Sequence, residues 1–210
     1  MAGLRLKICG IRREEDIAIV NRFPPDYIGF VFAKSRRQVT PEQAARLTSK
    51  LRPGIQTVGV FVNSSPEAAA GAAKAAGLSV IQLHGDEDRT YIETLRQLTG
   101  LPIWKAVRVT NKDSIRRAEQ LGANALLLDA FSEDAYGGTG KTADWELIAR
   151  VRPALPFFLA GGLNAHNLAA AVSAVRPCGV DLSGGVETNG VKDGEKVRII
   201  RELVNRLPIR

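Results

Sequence analysis

The chain has 210 residues, 45% of them hydrophobic and 24% charged, a length that fits one domain and a balance that excludes a disordered chain or a fibrous repeat. Its apolar runs, such as residues 125–128 and 157–160, fall far short of the ~20 residues a membrane-spanning helix needs. The formal charge is +7, from 29 Lys and Arg against 22 Asp and Glu. The basic residues are scattered in pairs (Arg12-Arg13, Arg36-Arg37, Arg116-Arg117) and only 6% of residues are aromatic, which favours a phosphorylated or carboxylated small molecule over nucleic acid as partner.

In chain order, short apolar and β-branched runs at residues 4–9, 27–32, 57–62, 79–83, 102–107, 125–129, 157–160 and 178–182 read as strands. Near-continuous apolar strands are buried on both faces, as in a parallel sheet. Helical stretches lie between them. Thr40-Pro41-Glu42-Gln43 pairs an N-cap with a proline at the first helical position, and Ser65-Pro66-Glu67 repeats the device before an alanine-rich helix that ends at Gly77. Further helices are expected at 113–120, 144–151, 164–175 and 194–207. Eight strand–helix pairs with short connections and no linker predict parallel neighbours joined by right-handed crossovers. The fold expected is a single-domain (β/α)8 TIM barrel over residues 1–210. A doubly wound open sheet is the second choice, and it lacks its usual Gly-x-Gly-x-x-Gly after the first strand. The N-terminal residues show no apolar segment or cleavage site, and Cys9 and Cys178 are too few for a disulfide framework, so a cytoplasmic location is expected. Monomer and homodimer are both compatible with the sequence.

In a barrel, functional residues gather where strands end and the next loops begin. Cys9 ends the first strand, and Gly10 beyond it leaves space beside the thiol; an inert buried cysteine is the commoner fate, but the position favours a general base. Cys178 starts the eighth strand on the opposite face and reads as structural. Asp129 closes an apolar strand. It reads either as a structural acid paired to a base or as a carboxyl whose surroundings let it deliver a proton. Cys9 and Asp129 flanking one cavity suit aldose–ketose chemistry. Gly137-Gly138-Thr139-Gly140-Lys141-Thr142 approaches a nucleotide phosphate loop, but Ala135 stands where its first glycine belongs, so a mobile loop over the site is the better reading.

Ala160-Gly161-Gly162-Leu163-Asn164 ends the seventh strand with exposed amides and is expected to open a helix capped by Asn164. Leu182-Ser183-Gly184-Gly185-Val186-Glu187 is expected to do the same after the eighth. Paired turns on these two strands are where such barrels bind phosphate, through backbone N–H groups and helix N-termini. His84 follows the fourth strand and can line the pocket, whereas His166 lies just inside a helix at the surface. With no second ligand at suitable spacing, no metal is expected. A Cys9–His84 nucleophilic pair lacks a third member and ranks low. Of Arg36 and Arg37 after the second strand, one is placed to hold a carboxylate and the other is solvated.

The ordered set Lys7-Ile8-Cys9-Gly10, Gly29-Phe30-Val31-Phe32 with Ser35-Arg36-Arg37, Gln82-Leu83-His84-Gly85, Leu127-Leu128-Asp129 with Gly137 to Thr142 and Asp144-Trp145, Ala160-Gly161-Gly162-Leu163, and Gly179-Val180-Asp181-Leu182-Ser183 to Glu187 with Gly190-Val191-Lys192-Asp193 resembles the phosphoribosylanthranilate isomerase family along the whole chain. The resemblance implies an Amadori rearrangement of a phosphorylated aminoaldose without cofactor or metal, with Asp129 as general acid and Cys9 as general base. It implies Arg37 on the anthranilate carboxylate and His84 on the substrate. Asp181 would meet a sugar hydroxyl, and Gly161, Gly162, Ser183 and Gly184 would cradle the phosphate. Ala143 replaces an aromatic residue common among relatives, and Gly184 a second serine. The histidine-pathway isomerase shares the topology but places an aspartate where Cys9 stands. A non-catalytic phosphate-ligand or nucleic-acid binder is supported only by the basic balance.

Overall fold

The computed structural model describes residues 3–129 and 145–207. Its elements follow in the order β1 (Arg5–Cys9), α1 (Glu14–Arg22), β2 (Tyr27–Val31), α2 (Pro41–Thr48), β3 (Gln56–Phe61), α3 (Pro66–Ala76), β4 (Val80–Leu83) and α4 (Arg89–Thr99). Next come β5 (Ile103–Arg108), α5 (Lys112–Glu119), β6 (Ala125–Asp129), α6 (Trp145–Val151), β7 (Phe157–Ala160), α7 (Leu168–Val175) and β8 (Gly179–Leu182). A 3₁₀ turn (Gly184–Val186), the short strands β9 (Glu187–Thr188) and β10 (Val191–Lys192), and α8 (Gly194–Arg206) complete the described chain.

Strands β1 to β8 pair in sequence order and all in parallel, and β8 returns to β1 through Arg5↔Gly179, Leu6↔Val180, Lys7↔Asp181 and Ile8↔Leu182. The ring is therefore closed, which sets the open-sheet alternative aside. Two apolar layers hold it. Outward side chains such as Leu6, Ile8, Ile28, Ile81, Leu126, Leu128 and Val180 pack under the helices in one large cluster. Inward side chains form a second cluster inside the barrel around Tyr27, Trp104 and Phe158, whose ring centroids lie 4.6–5.7 Å apart. This double burial is why the strands read as continuous apolar runs.

Strand boundaries lie within one residue of the sequence expectation, and β6 and β7 coincide with it. Thr40 and Gln43 form a reciprocal capping box on α2, Ser65 Oγ accepts from the Ala68 amide at 3.2 Å, and Gly77 ends α3 in the left-handed conformation. Three local expectations are corrected. Asn164 does not cap a helix: its Oδ1 accepts from the His166 amide at 2.9 Å within a turn, and α7 begins only at Leu168 behind Asn167. His166 is accordingly exposed in that turn, outside the helix. The segment after β8 opens a 3₁₀ turn and a β9–β10 hairpin before α8, whose cap is Asp193. The expected glycine loop at 137–142, together with Ala135, Ala143 and the first residue of the expected 144–151 helix, lies outside the described residues.

Candidate active site

The C-terminal ends of the strands open into one cavity of about 860 Å³. Cys9, Arg37, His84, Asp129, Gly161, Gly162, Asp181, Ser183 and Gly184 all line it, so every site residue expected from the sequence is brought to one place. The period of the strands explains why. Along β1, Leu6 and Ile8 turn out to the helices, so Lys7 and Cys9 turn in; the same alternation sends Gln82, Leu127, Asp129 and Asp181 inward.

Cys9 pairs with Gly29 across β1 and β2. A Cβ on Gly29 would stand 2.7 Å from Cys9 Sγ and 3.2 Å from Lys7 Nζ. Gly29, not Gly10, therefore leaves space beside the thiol. Gly10 instead adopts φ +84° and makes room for the Arg37 side chain, whose Cδ a Cβ there would strike. Lys7 is fully buried, and its Nζ donates to Asp181 Oδ1 at 3.0 Å. Burial opposes its charge, but Asp181 and Cys9 outweigh that and hold Lys7 above its ordinary range. Ser183 Oγ donates to the Cys9 carbonyl at 3.1 Å and so ties β8 to the end of β1.

His84 Nδ1 lies 3.3 Å from Gln82 Nε2. Burial pushes the imidazole down, with Lys7 and Lys105 adding to the effect against the pull of Asp129 and Asp181. A neutral ring that accepts the Gln82 amide at Nδ1 keeps its proton on Nε2 as a donor. Below it, buried Glu87 accepts from the Asn63 amide at 2.9 Å, from the Gly85 amide and from Lys105 Nζ at 2.8 Å, which pins the turn that carries His84.

The phosphate-type turns lie side by side. Gly161 and Gly162 have φ of +98° and +64°, a path open to glycine and costly for most residues. Gly185 packs directly on the Leu163 carbonyl, leaving no room for a side chain between the two turns. Among the described residues, no cluster of three or more His, Cys, Asp or Glu is placed to hold a metal ion, and no helix is long and apolar enough to cross a membrane.

Arg37 has a partner that reading the sequence missed. Its Nε and Nη2 donate to Glu187 Oε1 and Oε2, both at 2.7 Å, and Glu187 also receives Lys192 Nζ at 2.9 Å and Arg36 Nη2 at 3.1 Å. Arg36 is thus largely exposed but not simply solvated. Burial raises the Glu187 carboxyl, and the hydrogen bonds from Arg37 and Lys192 overcome it, holding the group at about 2. One local signal was available: Asn189-Gly190 between two short β-capable pairs marks a hairpin turn, which sets Glu187 opposite Lys192.

A sequence profile described as N-(5'-phosphoribosyl)anthranilate (PRA) isomerase matches residues 6–203. The chain is 49% identical over 200 residues to the N-(5'-phosphoribosyl)anthranilate isomerase of Acetivibrio thermocellus, covering 92% of each chain. Among solved structures, phosphoribosyl anthranilate isomerase from Thermotoga maritima superposes with a TM-score of 0.86 at 38% identity, covering 96% of this chain and 98% of that one. A phosphoribosyl anthranilate isomerase in complex with reduced 1-(o-carboxyphenylamino)-1-deoxyribulose 5-phosphate gives 0.84 at 35% identity, with coverage of 96% and 98%.

Proposed function

The chain belongs to the N-(5'-phosphoribosyl)anthranilate isomerase family, and from that membership we propose how its cavity carries out the reaction. It is an isomerase of tryptophan biosynthesis. Its substrate on this reading is N-(5-phosphoribosyl)anthranilate, and the product is the 1-deoxyribulose isomer, formed in the cytoplasm. The observation that carries the mechanism is the order of strands around the ring. Asp129 ends β6 and Cys9 ends β1, and the two strands between them, β7 and β8, carry the glycine turns. A phosphate held by the amides of Gly161, Gly162 and Gly184, with Ser183 beside them, leaves the attached sugar flanked by an acid on one side and a thiol on the other.

Asp129 gives its proton to the ribose ring oxygen. The C1′–O bond breaks, and the nitrogen lone pair forms the Schiff base. Cys9, as thiolate, removes the C2′ proton, and the electron pair of that C–H bond completes an enolamine. Tautomerisation yields the C2′ ketone. In that last step C1′ gains one proton and the C2′ hydroxyl loses one, which matches the proton Cys9 took and the one Asp129 gave, so both groups are restored and no external oxidant or reductant is needed. Lys7 places a buried positive charge near the thiolate, and Arg37 and Lys192 also interact with it. His84 Nε2–H and the Asp181 carboxylate serve the ribose hydroxyls, and Arg37 holds the anthranilate carboxylate.

The test is turnover of phosphoribosylanthranilate, followed by loss of anthranilate fluorescence, on wild type and on variants whose folding is verified. Cys9→Ser and Asp129→Asn should each lower turnover at least ~100-fold. Wild-type rates in either variant would remove that residue from the mechanism. Absence of turnover in the folded wild type would remove the substrate.

A further inference from the structure

Glu187 grips Arg37 from one side only. The carboxylate spans Nε and Nη2, both at 2.7 Å, the side-on bidentate arrangement. Among the described residues, Nη1 has no hydrogen-bond partner. Nη2 lies beside the cavity-lining Gly184, where an added Cβ would stand 3.8 Å from it. A guanidinium offers two bidentate faces, and here the side face is taken while the Nη1–Nη2 end face is left over.

The acid that does this cannot swing away. The Glu187 side chain is 5% exposed and also receives Lys192 Nζ, which itself donates to the Ser183 carbonyl at 3.1 Å. The Glu187 carbonyl accepts from Lys196 Nζ at 2.7 Å, and Arg36 closes the outer side. Three cations surround one carboxylate, so the corner stays electropositive towards an incoming anion despite the acid within it.

We propose that Glu187 is a positioning residue: it holds Arg37 side-on so that only the end face meets the substrate carboxylate, and recognition of that carboxylate depends on an acid that never touches the substrate. The proposal rests on the reading of Arg37 as the carboxylate-binding residue and adds what fixes its geometry. It also makes a prediction opposite in sign to simple electrostatics. If Glu187 acted only by charge, removing it would strengthen anion binding; if it positions Arg37, removing it weakens recognition of the carboxylate alone.

The experiment uses two unreactive ligands: reduced 1-(o-carboxyphenylamino)-1-deoxyribulose 5-phosphate and the same molecule lacking the carboxyl group. The ratio of their Kd values is the carboxylate dependence, and it is measured for wild type, Glu187→Gln, Arg37→Ala and the double variant. Glutamine keeps the shape of Glu187, but its amide nitrogen is a second donor facing donors, so the bidentate grip is lost. Glu187→Gln should cut the carboxylate dependence about tenfold. The double variant should lose no more than Arg37→Ala, because the two residues act as one unit. A dependence that is unchanged or increased in Glu187→Gln overturns the proposal, and so does additive loss in the double variant. A dependence that survives Arg37→Ala overturns the Arg37 reading itself and the proposal with it, a distinct result. Should Glu187→Gln not fold, Glu187→Asp, whose carboxylate stands one methylene short of the guanidinium, is held to the same expectation.

Discussion

Cys9 works, on this reading, because its neighbour across the sheet has no side chain. Gly29 faces it in register, and a methyl group at position 29 would sit 2.7 Å from the sulfur and 3.2 Å from the Lys7 ammonium. Both atoms would have to move, at a cost of about 1–3 kcal/mol for overfilling a packed site. Gly29→Ala should therefore keep the barrel, displace the thiol from the reacting carbon and lower kcat at least about tenfold with a smaller change in KM. Steady-state kinetics beside a circular dichroism melt would check this, and wild-type kcat in a folded Gly29→Ala would show that the space is not needed. Cys9 stands out in the sequence as a thiol at a strand end, but Gly29 does not. Its task appears only when β1 and β2 are in register, which is why the adjacent Gly10 looked like the residue that clears the space. Lys7 was hidden in the same way, since a lysine within an apolar strand gains meaning only from Asp181 on β8.

At the scale of elements, the strands and capped helices are legible because their signals are local. Burial on both faces writes continuous apolar runs, and Thr40-Pro41 and Ser65-Pro66 fix helix starts within four residues. The β9–β10 hairpin is less legible, because what matters about it is long-range. Glu187 meets Arg37 across 150 residues of chain, and no spacing encodes that distance. Asn164 reads as a cap in isolation, but its side chain is used within the turn, donating to the Gly162 carbonyl at 3.2 Å and accepting from the His166 amide at 2.9 Å, and α7 begins only at Leu168. The hairpin should also respond to acid. The Glu187 carboxyl is held at about 2, below its ordinary 4.5, so the folded protein resists its protonation. The stability that follows is fully present above pH 4.5 and is lost as pH falls from there towards 2. At neutral pH it is worth about 2 kcal/mol once partial solvent screening is allowed for. Urea unfolding of wild type and Glu187→Gln at pH 7, 4.5 and 3 should show the gap between them narrowing with acid. A gap that stays constant would mean that the charge of Glu187 does not stabilise the hairpin corner.

On the scale of the whole molecule, closure of the ring and ligand binding involve the same seam. β1 and β8 lie far apart in sequence, with Lys7 and Asp181 separated by 174 positions, yet their pairing closes the barrel. The glycine turns on β7 and β8 touch through Gly185 and Leu163, and Ser183 fastens β8 to the carbonyl of Cys9. A phosphate bound by both turns would bridge β7 to β8, the strand whose other edge closes the ring on β1, so its binding energy should appear as stability of the entire fold. At a ligand concentration one hundred times Kd the gain is about 2.7 kcal/mol, or roughly 5–10 °C in Tm for a chain of this size. The reduced product analogue should produce that shift, and its dephosphorylated form should not at the same concentration. Gly184→Asp supplies the control within the protein. A Cβ at that position meets only Arg37 Nη2 at 3.8 Å, so the variant has room to fold, but its carboxylate occupies the cradle and repels a dianion. Its Tm should not respond to the phosphorylated analogue. A full shift in Gly184→Asp, or an equal shift from the dephosphorylated analogue, would move the phosphate site away from the β7–β8 turns.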